Sequence, residues 1–140
     1  MSKVAVVYYS GTGNTEAMAK AVVEGVKEKG AEAALFTSSE FSESKMDEFD
    51  AIAFGCPAMG AEELEDGEFK PMFDACAAKL GGKKIALFGS YGWGDGEWMR
   101  NWEASCKEMG ANLACDCVIC NEAPDNAAIE ACKALGAALS

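Results

Sequence analysis

The feature that most constrains this chain is a regular alternation of two kinds of segment. Val4–Tyr9 is a continuous apolar run, as a strand covered on both faces should be. Met18, Ala21, Val22, Gly25 and Val26 then recur with the spacing of one helical face. Lys27 and Lys29 sit in the last turn of that helix and Gly30 suits its end. Ala33–Thr37 reads as a weaker strand, and the polar, acidic residues 38–49 as a loop or short helix. Ala51–Phe54 is a third strand. After a long loop, Phe69, Met72, Phe73, Cys76 and Leu80 again mark one helical face. Ile85–Phe88 is a fourth strand, Trp98–Met109 a helix, Leu113–Ile119 a fifth strand, and Ala128–Leu139 a final helix opened by Pro124-Asp125. Strands alternating with helices in this way make a parallel sheet with helices on both faces, joined by right-handed crossovers. One domain over residues 1–140 is expected.

In an open parallel sheet, ligands bind beyond the carboxyl ends of the strands. Three unusual segments fall there: Ser10–Thr15, Cys56–Gly67 and Ser90–Gly96. The first, S-G-T-G-N-T, joins a strand directly to a helix and carries no charge. Unpaired N–H groups at a helix start, with Ser10, Thr12, Asn14 and Thr15 as added donors, suit a phosphate, and Gly11 and Gly13 let the backbone approach it. A loop of this kind by itself fits an ordinary turn equally well. It lacks the Lys-Ser/Thr pair of a nucleotide triphosphatase loop, and Glu16 stands where a dinucleotide fingerprint wants glycine.

Charge and cysteines narrow the field further. The net charge is −11, from 12 basic and 23 acidic residues, which argues against nucleic acid as a partner. Residues 40–70 hold ten acids and two bases, and five of those acids lie in Glu62–Glu68. That stretch is either a solvated face or a docking surface. No apolar run approaches the ~18 residues of a membrane span, and the N-terminus lacks signal-peptide anatomy, so a cytoplasmic location is expected. There are seven cysteines and no histidine. Free thiols packed as small apolar groups are expected, with no metal site. Cys117 and Cys120 form a C-x-x-C, but on a strand they point to opposite faces.

Ser10–Thr15, Ala58-Met59-Gly60 and the G-S-Y-G-W-G-D-G of Gly89–Gly96 together resemble the flavodoxin family, specifically the short-chain flavodoxins of anaerobic bacteria. The resemblance covers essentially the whole chain. It implies a flavodoxin-like three-layer α/β sandwich with a five-stranded parallel sheet in the order 2-1-3-4-5; the family is itself a standing example of the switch-point rule used above. It also implies flavin mononucleotide (FMN) as the cofactor. Ser10, Gly11, Thr12, Gly13, Asn14 and Thr15 would hold the phosphate. Pro57, Ala58, Met59, Gly60, Ala61 and Glu62 would form one ring-binding loop, with Met59 on the inner face and Glu62 bonded to N3. Trp93 would stack on the outer face. Ser90 and Tyr91 would line the phosphate and ribityl region, and Gly92, Gly94, Asp95 and Gly96 would belong to the segment presenting backbone donors to the pyrimidine edge.

In the family the peptide after the residue matching Gly60 turns over on one-electron reduction, favouring the neutral semiquinone. Two positions depart from the family pattern. Pro57 stands where some relatives have a phosphate-contacting serine, and Ala61 where others have Asp or Ser. The implied function is a low-potential one-electron carrier, not an enzyme, cycling mainly between semiquinone and hydroquinone. It is expected to be a monomer that docks redox partner proteins on the acidic face. The competing reading is a small FMN-dependent reductase on the same fold. It is disfavoured because Trp93 and Met59 would cover the flavin and no histidine is present to donate a proton. A phospho-receiver of similar topology is excluded, because Tyr9-Ser10 and Gly55-Cys56 stand where its acidic residues belong.

Overall fold

A computed structural model describes residues 2–9, 13–59, 63–92, 94 and 96–140. In chain order the elements are β1 (Lys3–Tyr8), α1 (Asn14–Glu28), β2 (Glu32–Thr37), a 3₁₀ turn (Glu43–Glu48), β3 (Ala51–Gly55), α2 (Phe69–Cys76), β4 (Lys84–Tyr91), α3 (Glu97–Glu108), β5 (Asn112–Leu113), β6 (Val118–Asn121) and α4 (Asn126–Leu139). The sheet runs β2-β1-β3-β4-β5, all parallel, and β6 continues the outer position by pairing with β4. The expected strand order and the helices on both faces are therefore present.

The layering follows from strand alternation. Val4, Val6 and Tyr8 of β1 pack toward α1 and α4, whereas Ala5 and Val7 pack toward α2 and α3. Because both faces are covered, the central strands read as unbroken apolar runs. The two faces differ in size. Toward α1 and α4 the middle of the sheet offers Ala51, Ala53 and Ala86; toward α2 and α3 it offers Ile52, Phe54, Ile85 and Leu87. On the small-residue side, α1 and α4 also touch backbone to backbone. A Cβ on Gly25 would overlap the Lys133 carbonyl, and one on Gly136 would overlap the Val22 carbonyl. On the other side an aromatic cluster fills the larger gap, with Phe73 edge-on to Phe54 at 5.1 Å and to Trp102 at 5.6 Å.

The expected fifth strand, Leu113–Ile119, is not continuous. Between the pairs Ile85–Leu113 and Phe88–Val118, β4 advances three residues and its neighbour five. The extra length leaves the sheet at residues 114–117. Cys115 turns to the α1/α4 cluster and Cys117 to the α2/α3 cluster, with Asp116 exposed between them. A regular strand would put Cys115 and Cys117 on one face. Burying both thiols on opposite sides breaks the strand, and a charged residue at the break discourages edge pairing. Cys117 and Cys120 do lie on opposite faces, and all seven cysteines are free. Among the described residues no helix is long and apolar enough to cross a membrane.

The helix contact gives a direct test. Gly136→Ala should gain about 1 kcal/mol in helix propensity. The clash with the Val22 backbone should outweigh this, for a net loss of about 1–3 kcal/mol in urea denaturation. A rise in stability would mean that α1 and α4 are further apart than described.

Candidate functional site

The chain leaves β1 to reach β2 on one side and returns to β3 on the other, so a crevice opens beyond the carboxyl ends of β1 and β3. A cleft of about 610 Å³ lies there. Asn14 contributes from the start of α1; Pro57, Ala58 and Met59 from the segment after β3; Ser90, Tyr91 and Gly92 from the end of β4; and Glu122 and Ala123 from the segment after β6. Among the described residues no Lys or Arg lines it.

Each wall has a local cause. The chain continues β3 as far as Ala58, where Cys56 N–H donates to the Phe88 carbonyl and Ala58 N–H to the Ser90 carbonyl, both at 3.1 Å. The Trp98 indole N–H donates to the Cys56 carbonyl at 3.1 Å, and Tyr91 packs on Trp98 at 5.5 Å. Met59 exchanges two backbone hydrogen bonds of 2.9 Å with Glu63. Its side chain is nonetheless 37 % exposed, an unusual state for a residue so firmly fixed. At the start of α1, Gly13 takes the helix-capping position with φ 94° and no side chain caps the first turn. That turn's N–H groups have no intrahelical acceptor. Thr15 is 1 % exposed and its Oγ1 has no hydrogen-bond partner. A buried hydroxyl without a partner at a helix start suits an uncharged anion site. The neighbouring carboxylate of Glu16 is already engaged, by the Tyr8 hydroxyl at 3.2 Å. Burial first, and Glu16 second, push the Tyr8 phenol up, so it stays a neutral donor.

The cleft thus has an uncharged donor set at one end and apolar surface on Met59 and Tyr91 at the other. This donor and surface chemistry fits a phosphate monoester carrying a flat aromatic ring, which is what FMN is. The family model for flavodoxins matches residues 6–136. The chain belongs to the flavodoxin family. The flavodoxin of Megasphaera elsdenii is 49% identical over 138 residues, 96% of this chain and 96% of that one. That of Clostridium beijerinckii is 42% identical over 122 residues, 87% of this chain and 88% of that one. The solution structure of two-electron reduced Megasphaera elsdenii flavodoxin superposes with a TM-score of 0.90 at 48% identity, covering 97% of both chains. As a flavodoxin the protein binds FMN and carries electrons between redox partner proteins; it is not an enzyme. The carrier cycle runs between the one-electron and two-electron reduced states.

Of the residues expected at the flavin, Asn14, Pro57, Ala58, Met59, Ser90, Tyr91 and Gly92 line the cleft; Gly13 and Thr15, on either side of Asn14 in sequence, and Gly94 are not among its lining residues. Ser10, Gly11, Thr12, Gly60, Ala61, Glu62, Trp93 and Asp95 lie outside the described residues. Gly96 is not on the cleft. It caps α3, accepts from Met99 and Arg100 N–H, and lines a separate groove with Cys117 and Ile119. Ser90 reaches the cleft with its hydroxyl committed, donating to the Glu122 carbonyl at 2.6 Å. Glu122 and Ala123 were not expected at all. The carboxyl-end rule would have found them had the last strand been placed to end at Asn121 rather than Ile119. Glu122 has φ 56°, a backbone region that non-glycine residues enter at some cost, and its N–H donates to the Tyr91 carbonyl at 2.7 Å.

The acidic stretch Glu62–Glu68 is not uniform. Glu63, Asp66 and Glu68 are exposed, Glu68 while accepting from the Ser38 hydroxyl at 2.9 Å, and Glu65 folds back onto the start of α2. The Glu65 carboxylate accepts from Gly67 N–H at 2.8 Å and from Glu68 and Phe69 N–H at 2.7 Å each. Partial burial pushes this carboxyl up, but the bonds from Phe69, Gly67 and Glu68 outweigh it and hold it below its ordinary range. A depressed carboxyl contributes stability above its unfolded-state pKa and loses it as pH falls through the folded value. Glu65→Gln should therefore lower the urea midpoint at pH 7. The gap between variant and parent should close as pH falls through the parent's depressed carboxyl value. A gap of equal size at pH 3 and pH 7 would show that charge plays no part.

Proposed function

We propose that residues 1–140 form a single FMN-binding domain that works as a monomeric, cytoplasmic, low-potential one-electron shuttle, with the exposed acids of Glu62–Glu68 as its docking face. The observation that carries the reading is the orphaned Thr15 hydroxyl, next in sequence to Asn14 of a cleft whose described lining holds no Lys or Arg. Gly13, Asn14 and Thr15, with Ser10, Gly11 and Thr12, hold the phosphate through neutral donors. Pro57, Ala58 and Met59, with Gly60, Ala61 and Glu62, cover one side of the ring, and Trp93 covers the other. Ser90, Tyr91 and Gly92, with Gly94 and Asp95, shape the polyol and pyrimidine side. Bound FMN supplies the redox chemistry, accepting and releasing one electron at a time.

The chain's own residues bias that chemistry. Glu122 brings negative charge to the cleft lining, and like charges in a partly shielded site raise the cost of adding more. This favours a low potential for the second electron. Among the described lining residues none is a histidine or a lysine, so the cleft provides no cationic proton donor to a second substrate. The exposed acids of Glu62–Glu68 attract a basic partner over distances set by ionic strength.

Two measurements test this. Thr15→Val removes the hydroxyl at nearly constant shape. It should weaken FMN binding by about ten- to a hundredfold, the scale of one hydrogen bond to a charged group, and leave riboflavin binding unchanged. The FMN-free variant should be as stable as the parent or more so, because an unpaired buried hydroxyl is lost. Equal weakening of both ligands would move the phosphate elsewhere. For docking, the electron-transfer rate to a basic partner protein should fall several-fold between about 0.05 and 0.5 M salt, and Glu63→Gln/Asp66→Asn should flatten that dependence. A salt-independent rate would remove the acidic face from the account.

A further inference from the structure

Glu65 does not line the cleft, but it lies two residues after Glu63, whose backbone is paired with the cleft-lining Met59. Glu65 N–H donates to Cys56 Sγ at 3.4 Å, and Cys56 is itself fastened to β4 through Phe88. Burial pushes the Cys56 thiol up to about 12, so it remains a protonated, uncharged acceptor. The Glu65 carboxylate holds the N–H groups of Gly67, Glu68 and Phe69, and Phe69 is fully buried beneath α2. Two residues before Glu65, Glu63 holds Met59 through the paired backbone bonds. One end of the segment is thus anchored on the sheet at Cys56 and the other in the core at Phe69. Glu65 bonds to both, and Met59 is the side chain carried into the cleft between them.

We propose that Glu65 is a positioning residue for the flavin: its carboxylate fixes residues 63–69 and thereby holds Met59 in place on the cleft wall. The inference rests on the cleft being the FMN site. Carboxylate-to-amide bonds are about twice as strong as neutral ones, so three of them make a stiff support. Both oxygens are in use, one accepting from Gly67 and the other from Glu68 and Phe69. A glutamine of the same shape must turn its NH₂ toward one of these donors, leaving at least one N–H without an acceptor. The lesion lies outside the cleft and reaches the flavin only through Met59.

A double-mutant cycle decides the matter, using the FMN-free chain titrated into FMN and followed by fluorescence quenching. Glu65→Gln should raise the FMN dissociation constant about tenfold in the parent, the scale of one charge-assisted hydrogen bond. In the Met59→Ala background the same change should have less than about a twofold effect, because coupled positions are not additive. The two one-electron midpoint potentials of bound FMN should shift in Glu65→Gln in the same direction as in Met59→Ala. Amide hydrogen exchange at Met59 and Glu63 should speed up in the FMN-free variant. An equal fold-change in both backgrounds, or potentials that do not move, overturns the positioning role and leaves a merely structural one. If Met59→Ala alone leaves FMN binding and potentials unchanged, it is the reading of the cleft that fails. Should Glu65→Gln not fold, Cys56→Ala removes the other anchor of Glu65 and carries the same cycle.

Discussion

Burial of the sheet on both faces is the constraint on which the rest of this molecule depends. β1, β3 and the greater part of β4 are buried residue after residue, and their hydrogen-bonding groups are committed to neighbouring strands. Nothing in such a sheet is free to bind a ligand. Recognition is displaced to the carboxyl ends, where the backbone leaves the ladder and its donors and acceptors become available again. The crevice between β1 and β3 is widest because the chain turns to opposite sides after each of them. Unequal side-chain size then sets how the layers approach. Alanines in the sheet and glycines at 25 and 136 let α1 and α4 close down, while the aromatic cluster holds α2 and α3 further out.

The cleft works by leaving groups unsatisfied. The Thr15 hydroxyl is a buried group without a partner, and Met59 is an apolar side chain left partly exposed. Each is unfavourable in isolation. The walls, by contrast, are fully satisfied: Ser90 to Glu122, Glu122 to Tyr91, Trp98 to Cys56, Glu65 to three amides. Unsatisfied groups on satisfied supports are what pre-organisation means in physical terms.

Much of this was legible in the residues. The helical faces of α1 and α2 are visible as periodic apolar positions, and the same residues are the buried ones. The cleft's place beyond the carboxyl ends of the strands is visible because unusual small-residue segments follow the apolar runs. The broken outer strand was not legible, since Leu113–Ile119 is as apolar as a real strand and the break arises from burying Cys115 and Cys117 on opposite sides. Glu122 was missed for a related reason: the end of that strand was placed two residues early, and its strained backbone leaves no mark in composition. The acids of Glu62–Glu68 looked alike in sequence. Only folding separates Glu65, half-buried with its carboxylate on three amides, from Glu63, Asp66 and Glu68, which are exposed.

The sequence by itself therefore determined the parallel α/β class, the strand ends beyond which the cleft opens, and, through its motifs, the flavodoxin family. These are local properties: periodicity, donor type and charge are written within a few residues of one another. Tertiary structure decided which donors are free, which acids are structural, where the outer strand breaks, and that residues 122 and 123 complete the cleft. Those facts depend on what lies across a gap from each side chain, and the packing of distant segments alone sets that.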